Sequence, residues 1–183
     1  MFGALEDETY ADERIDRCWN DRFVWLKDVL EACPEAGRLM IERQQAAIRL
    51  ITDFYRLRAP ICSDLLHVVR WKPGTSMPPH ADNAHPERSP HAMAHRDFSG
   101  VAYLNDDHTG GELHFTARDL KIEPKRGSFV AFTGGFHHEH AVLRVTGGNT
   151  RLTIPSVFTF APEHADRLLH PELAAKQPAP ADA

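Results

Sequence analysis

FSGVAYLNDDHTGGELHFTARDLKIEPKRGSFVAFTGGFHHEHAVLRVTGGNTRLTIPSVFTF, residues 98–160, decides the fold class. Short β-type runs (FSGVAYL, GELHF, LKIEP, GSFVAF, EHAVLRV, RLTIPSVFTF) alternate here with turn signals. These are Asp106-Asp107-His108-Thr109-Gly110-Gly111, Lys125-Arg126-Gly127, Gly134-Gly135 and Thr146-Gly147-Gly148-Asn149. Apolar runs of this length, bounded by Gly, Asn and Asp, read as strands. Many of them at even spacing favour a sandwich or jelly roll. Upstream, DLLHVVRW at 64–71 adds another strand, closed by Lys72-Pro73-Gly74.

Before Pro60 the texture is different. Pro34 is followed by EAGRLMIERQQAAIRLITDFYRL, in which Leu39, Met40, Ile41, Ala46, Ala47, Leu50, Ile51 and Phe54 follow a mostly helical period. Glu42, Arg43 and Gln45 fall on its polar side. Residues 11–31 are also expected to be helical, burying Trp19, Phe23, Trp25, Leu26 and Leu30. The expected organisation is one domain over 1–170, with a helical front to about 58, a β core from about 63 to 162 and a flexible tail at 171–183. Residues 83–97, NAHPERSPHAMAHRD, are polar and contain proline, which reads as a long functional loop.

The length of 183 residues suits a single hydrophobic core. A formal charge of −5 argues against a nucleic-acid surface, which would be basic. Cys18, Cys33 and Cys62 are odd in number and form no CxxC pair, which reads as reduced thiols and not a disulfide frame. The acidic start, MFGALEDETYADER, lacks a signal-peptide pattern, and no apolar run has membrane-spanning length. A cytoplasmic protein without a membrane partner is the expectation.

Ten of the 12 histidines lie between His67 and His140, so spacing must select among them. His80-Ala81-Asp82 is one selection: on an extended segment, residues i and i+2 face the same way. The segment His137-His138-Glu139-His140 offers a second histidine. Two histidines and one carboxylate with open positions are the ligand set of non-haem iron oxygenases. Arg151 follows His140 by eleven residues, across the turn at 146–149, which would fold it back beside that histidine. A dicarboxylate co-substrate that chelates iron at one end needs a guanidinium at the other. Alternation puts Arg151, Thr153 and Pro155 on the cavity face, with Leu152 and Ile154 under the helices.

PPHADN at 78–83, HRDFSGVAYLNDD at 95–107, GGELHF at 110–115, IEPKRGSFVAFTGG at 122–135, HAVLRVTGGNTR at 140–151 and FTF at 158–160 resemble the catalytic domain of prolyl hydroxylases, the leprecan-type prolyl 3-hydroxylases most of all. The resemblance spans roughly residues 65–165. It implies a mostly β, cupin-like jelly roll, the double-stranded β-helix, with flanking N-terminal helices, holding iron(II) and 2-oxoglutarate. It implies His80, Asp82 and His140 as metal ligands, and Arg151 and Tyr103, with Thr153 beside them, as residues for 2-oxoglutarate. The interval from the distal histidine to the arginine is one residue longer than the family pattern, which keeps His138 as a rival third ligand. The implied reaction is hydroxylation of an unactivated C–H bond by dioxygen, with 2-oxoglutarate giving succinate and carbon dioxide and ascorbate as a possible reductant. Asp82 favours hydroxylation, since related halogenases lack that carboxylate.

The expected partner is a small-molecule or peptide substrate: a prolyl or peptidyl residue, a free amino acid or a related metabolite. Candidate contacts to it are Arg70, Trp71, Glu112 and the 83–97 loop, with His85, Arg88, His91 and Arg96. The alternative outside the enzyme class is a cupin-like metal-binding or sensor module, which would need the histidines but not Arg151.

Overall fold

In the computed structural model, described over residues 22–85, 91 and 93–174, the described residues begin with a strand at 23–25, where a helix was expected, and turn helical only from Leu26. β1 (Phe23–Trp25) pairs antiparallel with β2 (Cys62–Trp71), setting Phe23 opposite Val69 and Trp25 opposite His67. Phe, Val and Trp are strong strand formers. The open edge of β2 gives these residues a ladder that helical periodicity alone does not reveal. Trp19 lies outside the described residues.

Two helices follow, α1 (Leu26–Ala32) and α2 (Pro34–Tyr55). Proline at the first turn suits the start of α2, because its missing N–H would be unsatisfied there anyway. Arg56, at φ 53°, ends the helix in the left-handed region. The buried stripe of α2 is Gly37, Met40, Gln44, Ala47 and Ile51, a strict i, i+3, i+4 series. Leu39, Leu50 and Phe54, read from the sequence as part of the apolar face, are instead exposed, Phe54 by 77%. The sequence is apolar over more of the helix circumference than the sheet can cover.

The body contains β3 (Met77–His80), β4 (Phe98–Tyr103), β5 (His108–Gly110), β6 (Leu113–Phe115), β7 (Leu120–Ile122), β8 (Phe129–Thr133), β9 (His140–Val142), β10 (Val145–Gly148) and β11 (Arg151–Thr159). They form a five-stranded sheet in the order β1-β2-β11-β4-β8, a four-stranded sheet β3-β9-β6-β7 and a ribbon β10-β5. Every pairing between these strands, among the described residues, is antiparallel. This is the jelly roll expected from the strand spacing. A short helix, α3 (Pro171–Ala174), begins the stretch read as tail, and 175–183 lie outside the described residues.

The large sheet has two unlike faces. Phe98 and Phe158 pack on Ala47, Ile51 and Ile61 beneath α2, whereas Val69, Trp71, Met77, Val142 and Val145 pack between the sheets. Among the described residues no helix is long and apolar enough to cross a membrane.

One buried polar joint fixes α2 on the sheet. Gln44 donates to Ser63 Oγ at 2.6 Å and accepts from Ser156 Oγ at 2.8 Å, while the Ser63 N–H donates to His170 Nε2 at 2.8 Å. Gln44→Ala leaves two buried hydroxyls short of a partner, each costing about 1–3 kcal/mol. A lower urea midpoint with unchanged slope is the expected result in equilibrium unfolding; an unchanged midpoint would refute the joint.

Candidate functional site

The β3–β9 pairing sets His80 directly opposite His140. Their ring centroids are 4.3 Å apart, and both residues are buried. Asp82 follows two residues after His80, its N–H donating to Gly134 O at 2.9 Å, so the segment stays anchored after β3 ends. The ligand atoms of His80, Asp82 and His140 lie within 4.8 Å of one another, and His80 Nε2 is 3.5 Å from Asp82 Oδ1. Among the described residues no other group of His, Cys, Asp and Glu converges in this way.

Each imidazole is oriented by its own strand. His80 Nδ1 lies 3.0 Å from Pro78 O, and His140 Nδ1 lies 3.0 Å from His138 O, both carbonyls two residues earlier. With Nδ1 donating to these carbonyls, Nε2 of both rings is left with a free lone pair that can ligate a metal. Burial holds the His140 pKa down to about 4, partly opposed by Asp82. For His80 the burial effect is outweighed by the Asp82 hydrogen bond and charge, and its pKa is raised. For Asp82 burial is likewise outweighed, here by His140, His80 and Ser99, and its carboxyl sits below the usual carboxylate range. The cluster therefore offers a carboxylate and a neutral His140 at neutral pH.

His138 is not in this cluster. Its Nδ1 is 2.7 Å from Thr133 Oγ1, and its ring lies edge-on to Phe115. Its contribution is the backbone carbonyl that orients His140.

Arg151 is 1% exposed, at the start of β11 and in the wall of the same cavity. Its Cζ lies 5.2 Å from the Trp71 ring centre and 5.3 Å from that of Tyr103. Its Nε and Nη1, like Tyr103 Oη, have no hydrogen-bond partner among the described residues. Burial lowers the Arg151 pKa to about 10, opposed by Tyr103 and Glu112, so it stays a cation at neutral pH. Burial raises the Tyr103 pKa despite the nearby arginine, so the phenol keeps its proton. A desolvated cation with two spare donors beside a neutral hydroxyl has the chemistry to receive a buried carboxylate. Thr153 is in the cavity wall as expected, but its Oγ1 already accepts from Trp71 Nε1 at 3.1 Å.

Among the residues read as substrate contacts, Trp71 and Arg96 line the cavity. Arg70, His91 and Glu112 do not. Arg70 stands opposite Leu152 on the other face of the sheet, because adjacent strand residues alternate. His91 packs on His85 at 4.5 Å between centroids, and Glu112 bears on the site only through its charge near Arg151. Arg88 lies outside the described residues. The sequence reading missed Phe23, Trp25, His67 and Ser99 in this wall. Alternation from Trp71 back along β2 is the signal that reaches His67.

Gly111 makes room for the arginine. At φ +77°, a Cβ there would lie 2.7 Å from Arg151 Cδ. Gly111→Ala combines a strained backbone, about 1–3 kcal/mol, with displacement of the guanidinium. The expected outcome is a lowered Tm together with weakened carboxylate binding, read by thermal denaturation with and without 2-oxoglutarate. An unaltered ligand-induced shift would refute the contact.

Residues 66–158 match the family described as the 2OG-Fe(II) oxygenase superfamily. Prolyl 3-hydroxylase 3 of Homo sapiens is 30% identical over 154 residues, covering 73% of this chain and 21% of that protein. Prolyl 3-hydroxylase 2 of Homo sapiens is 31% identical over 149 residues, covering 70% and 21%. The chain thus spans about a fifth of the length of the curated relatives it matches. Among solved structures, the viral collagen prolyl hydroxylase of Paramecium Bursaria Chlorella virus-1 superposes with a TM-score of 0.54 at 21% identity, over 65% of this chain and 72% of that one. A Burkholderia pseudomallei oxidoreductase of the 2OG-Fe(II) oxygenase family gives 0.52 at 20%, over 74% and 56%. At these identities the superpositions speak for the jelly-roll fold.

Proposed function

This chain belongs to the 2OG-Fe(II) oxygenase superfamily, and from that premise we propose that it hydroxylates an unactivated C–H bond. Balanced, the reaction takes R–H, dioxygen and 2-oxoglutarate to R–OH, succinate and carbon dioxide. The substrate is a prolyl or other peptidyl residue, a free amino acid or a related small metabolite. The prolyl 3-hydroxylase relatives make a prolyl residue the first to test.

The observation that carries this reading is the pairing, in one cavity, of the His80–Asp82–His140 cluster with a buried cation two of whose donor nitrogens are unfilled. In the proposed roles, His80 and His140 hold iron(II) through Nε2, and Asp82 supplies the charged oxygen. The Pro78 and His138 carbonyls keep both rings in that tautomer. Arg151 and Tyr103 receive the far carboxylate of 2-oxoglutarate. Iron(II), when bound, supplies the redox chemistry that couples decarboxylation to C–H oxidation. Phe132, Val142 and Leu113 line the cavity beside the histidines and exclude water. A non-enzymatic metal or sensor module would leave the Arg151–Tyr103 pair without a role.

The test is succinate formation by protein purified under nitrogen, then given iron(II), 2-oxoglutarate, ascorbate and air, with and without a panel of proline-containing peptides and free amino acids. Iron-dependent succinate, raised by a panel member, is the expected result. Iron-loaded protein that fails to bind 2-oxoglutarate would overturn the reading.

A further inference from the structure

The cavity wall carries a polar group that the proposed chemistry does not use. His67, in β2, lines the cavity and is 6% exposed. Phe23 meets its ring edge-on, with centroids 4.7 Å apart, and Trp25 lies at 5.1 Å, tilted by 53°. Both aromatic residues come from β1, whose register sets Trp25 opposite His67. His67 Nδ1 has no hydrogen-bond partner among the described residues. Buried polar atoms in folded proteins nearly always have one, so an exception in a cavity wall marks a place where a ligand completes the bonding.

The ring is also uncharged. Burial, aided by the charge of Arg96, lowers its pKa to about 3. Arg96 itself faces the Asp64 carboxylate at 3.6 Å, so the neighbouring cation is already counterbalanced. Leu65, Pro155 and Val157 add apolar surface to the same wall, which also holds Ser99 and Ser156.

We propose that His67 is a specificity-determining residue of this cavity: its neutral imidazole hydrogen-bonds an uncharged amide or hydroxyl group of a substrate whose apolar part seats against Phe23 and Trp25. A charged group placed here would lose its hydration to aromatic walls and gain no opposite charge from His67. The inference rests on the oxygenase reading, which makes this cavity the substrate's site.

The test is calorimetric titration, under nitrogen, of protein loaded with iron(II) and 2-oxoglutarate. The probes are N-acetyl-L-prolinamide and N-acetyl-L-proline, one scaffold in neutral and anionic form. The neutral probe is expected to bind about tenfold more tightly than the anionic one, the worth of a single good hydrogen bond. His67→Leu should lose most of that margin and His67→Gln should recover part of it. Absence of a neutral preference in the wild type, or a His67→Leu protein that binds the neutral probe as the wild type does, would overturn the proposal. Should His67→Leu not fold, His67→Phe decides in the same way: it keeps a ring but no hydrogen-bonding nitrogen, and wild-type binding of the neutral probe by it would overturn the proposal. Failure of the oxygenase reading shows separately, as wild-type protein that takes up iron but not 2-oxoglutarate in the preceding titration.

Discussion

Asp82→Ala is expected to abolish iron(II) binding at stoichiometric metal, and succinate formation with it. Asp82 is the only carboxylate in the cluster, and the two imidazoles left behind supply no negative charge. Its loss also removes the hydrogen bond and charge that keep the His80 pKa raised, so His80 is left buried with less to orient it. Changes to groups that merely orient a metal ligand cost roughly 10–100-fold in affinity, and loss of a ligand should exceed that. The fold should survive, since Asp82 lies just past the end of β3 and is held there by backbone bonds to Gly134. Iron quantification after desalting, with far-UV circular dichroism as the folding control, measures both parts. Retention of iron by folded Asp82→Ala protein would remove Asp82 from the proposed ligand set.

Arg151 carries the second large effect, and its two halves have opposite sign. Arg151→Met should cost on the order of 3–5 kcal/mol in 2-oxoglutarate binding, the usual loss when one partner of a buried charge pair is removed. That corresponds to a Kd weakened by roughly two to four powers of ten. Without co-substrate the same change should leave stability equal or higher, because a buried guanidinium with two unfilled donors costs free energy that an apolar side chain of similar size does not. Arg151→Lys should fall between the two in binding, since an ammonium keeps the charge but lacks the fork that meets a carboxylate at two points. Titration of 2-oxoglutarate into iron-loaded protein, beside thermal melts of the metal-free variants, separates the halves. A wild-type Kd in Arg151→Met would refute the carboxylate role. A large loss of metal-free stability would show that Arg151 is chiefly structural.

The parts of the fold legible in the sequence are those set by local rules. Strand after strand from Phe98 to Phe160 is announced by alternating apolar residues and by Gly, Asn and Asp at the turns. Gly111 and Gly127 adopt positive φ at such turns, whereas Gly110 and Gly148, read from the sequence as turn residues, lie at positive φ in the paired strands β5 and β10. The convergence of His80 and Asp82 was legible for the same reason, a period of two along an extended segment. Phe23–Trp25 was not legible, because a short apolar run such as Phe-Val-Trp fits a helix or a strand until a neighbouring edge decides. The exposed Leu39, Leu50 and Phe54 of α2 were misplaced because the rest of the stripe is short and includes Gln44, a polar residue satisfied only by Ser63 and Ser156 on the sheet.

The sequence alone determined the fold class, most of the longer strands and a short roster of chemistry-bearing residues, since each depends on spacing within a few residues. Tertiary structure decided which members of that roster meet. His140 stands in the cluster because the β3–β9 register places it opposite His80, while the ring of His138 is taken up by Thr133. Arg70 and Trp71 are neighbours in sequence, yet only Trp71 reaches the cavity, because the pleat sends them to opposite faces. His67 reads as one apolar-run histidine among many until β1 closes over it. Which strand lies beside which is a long-range choice, made by burial of whole faces, and no local pattern encodes it.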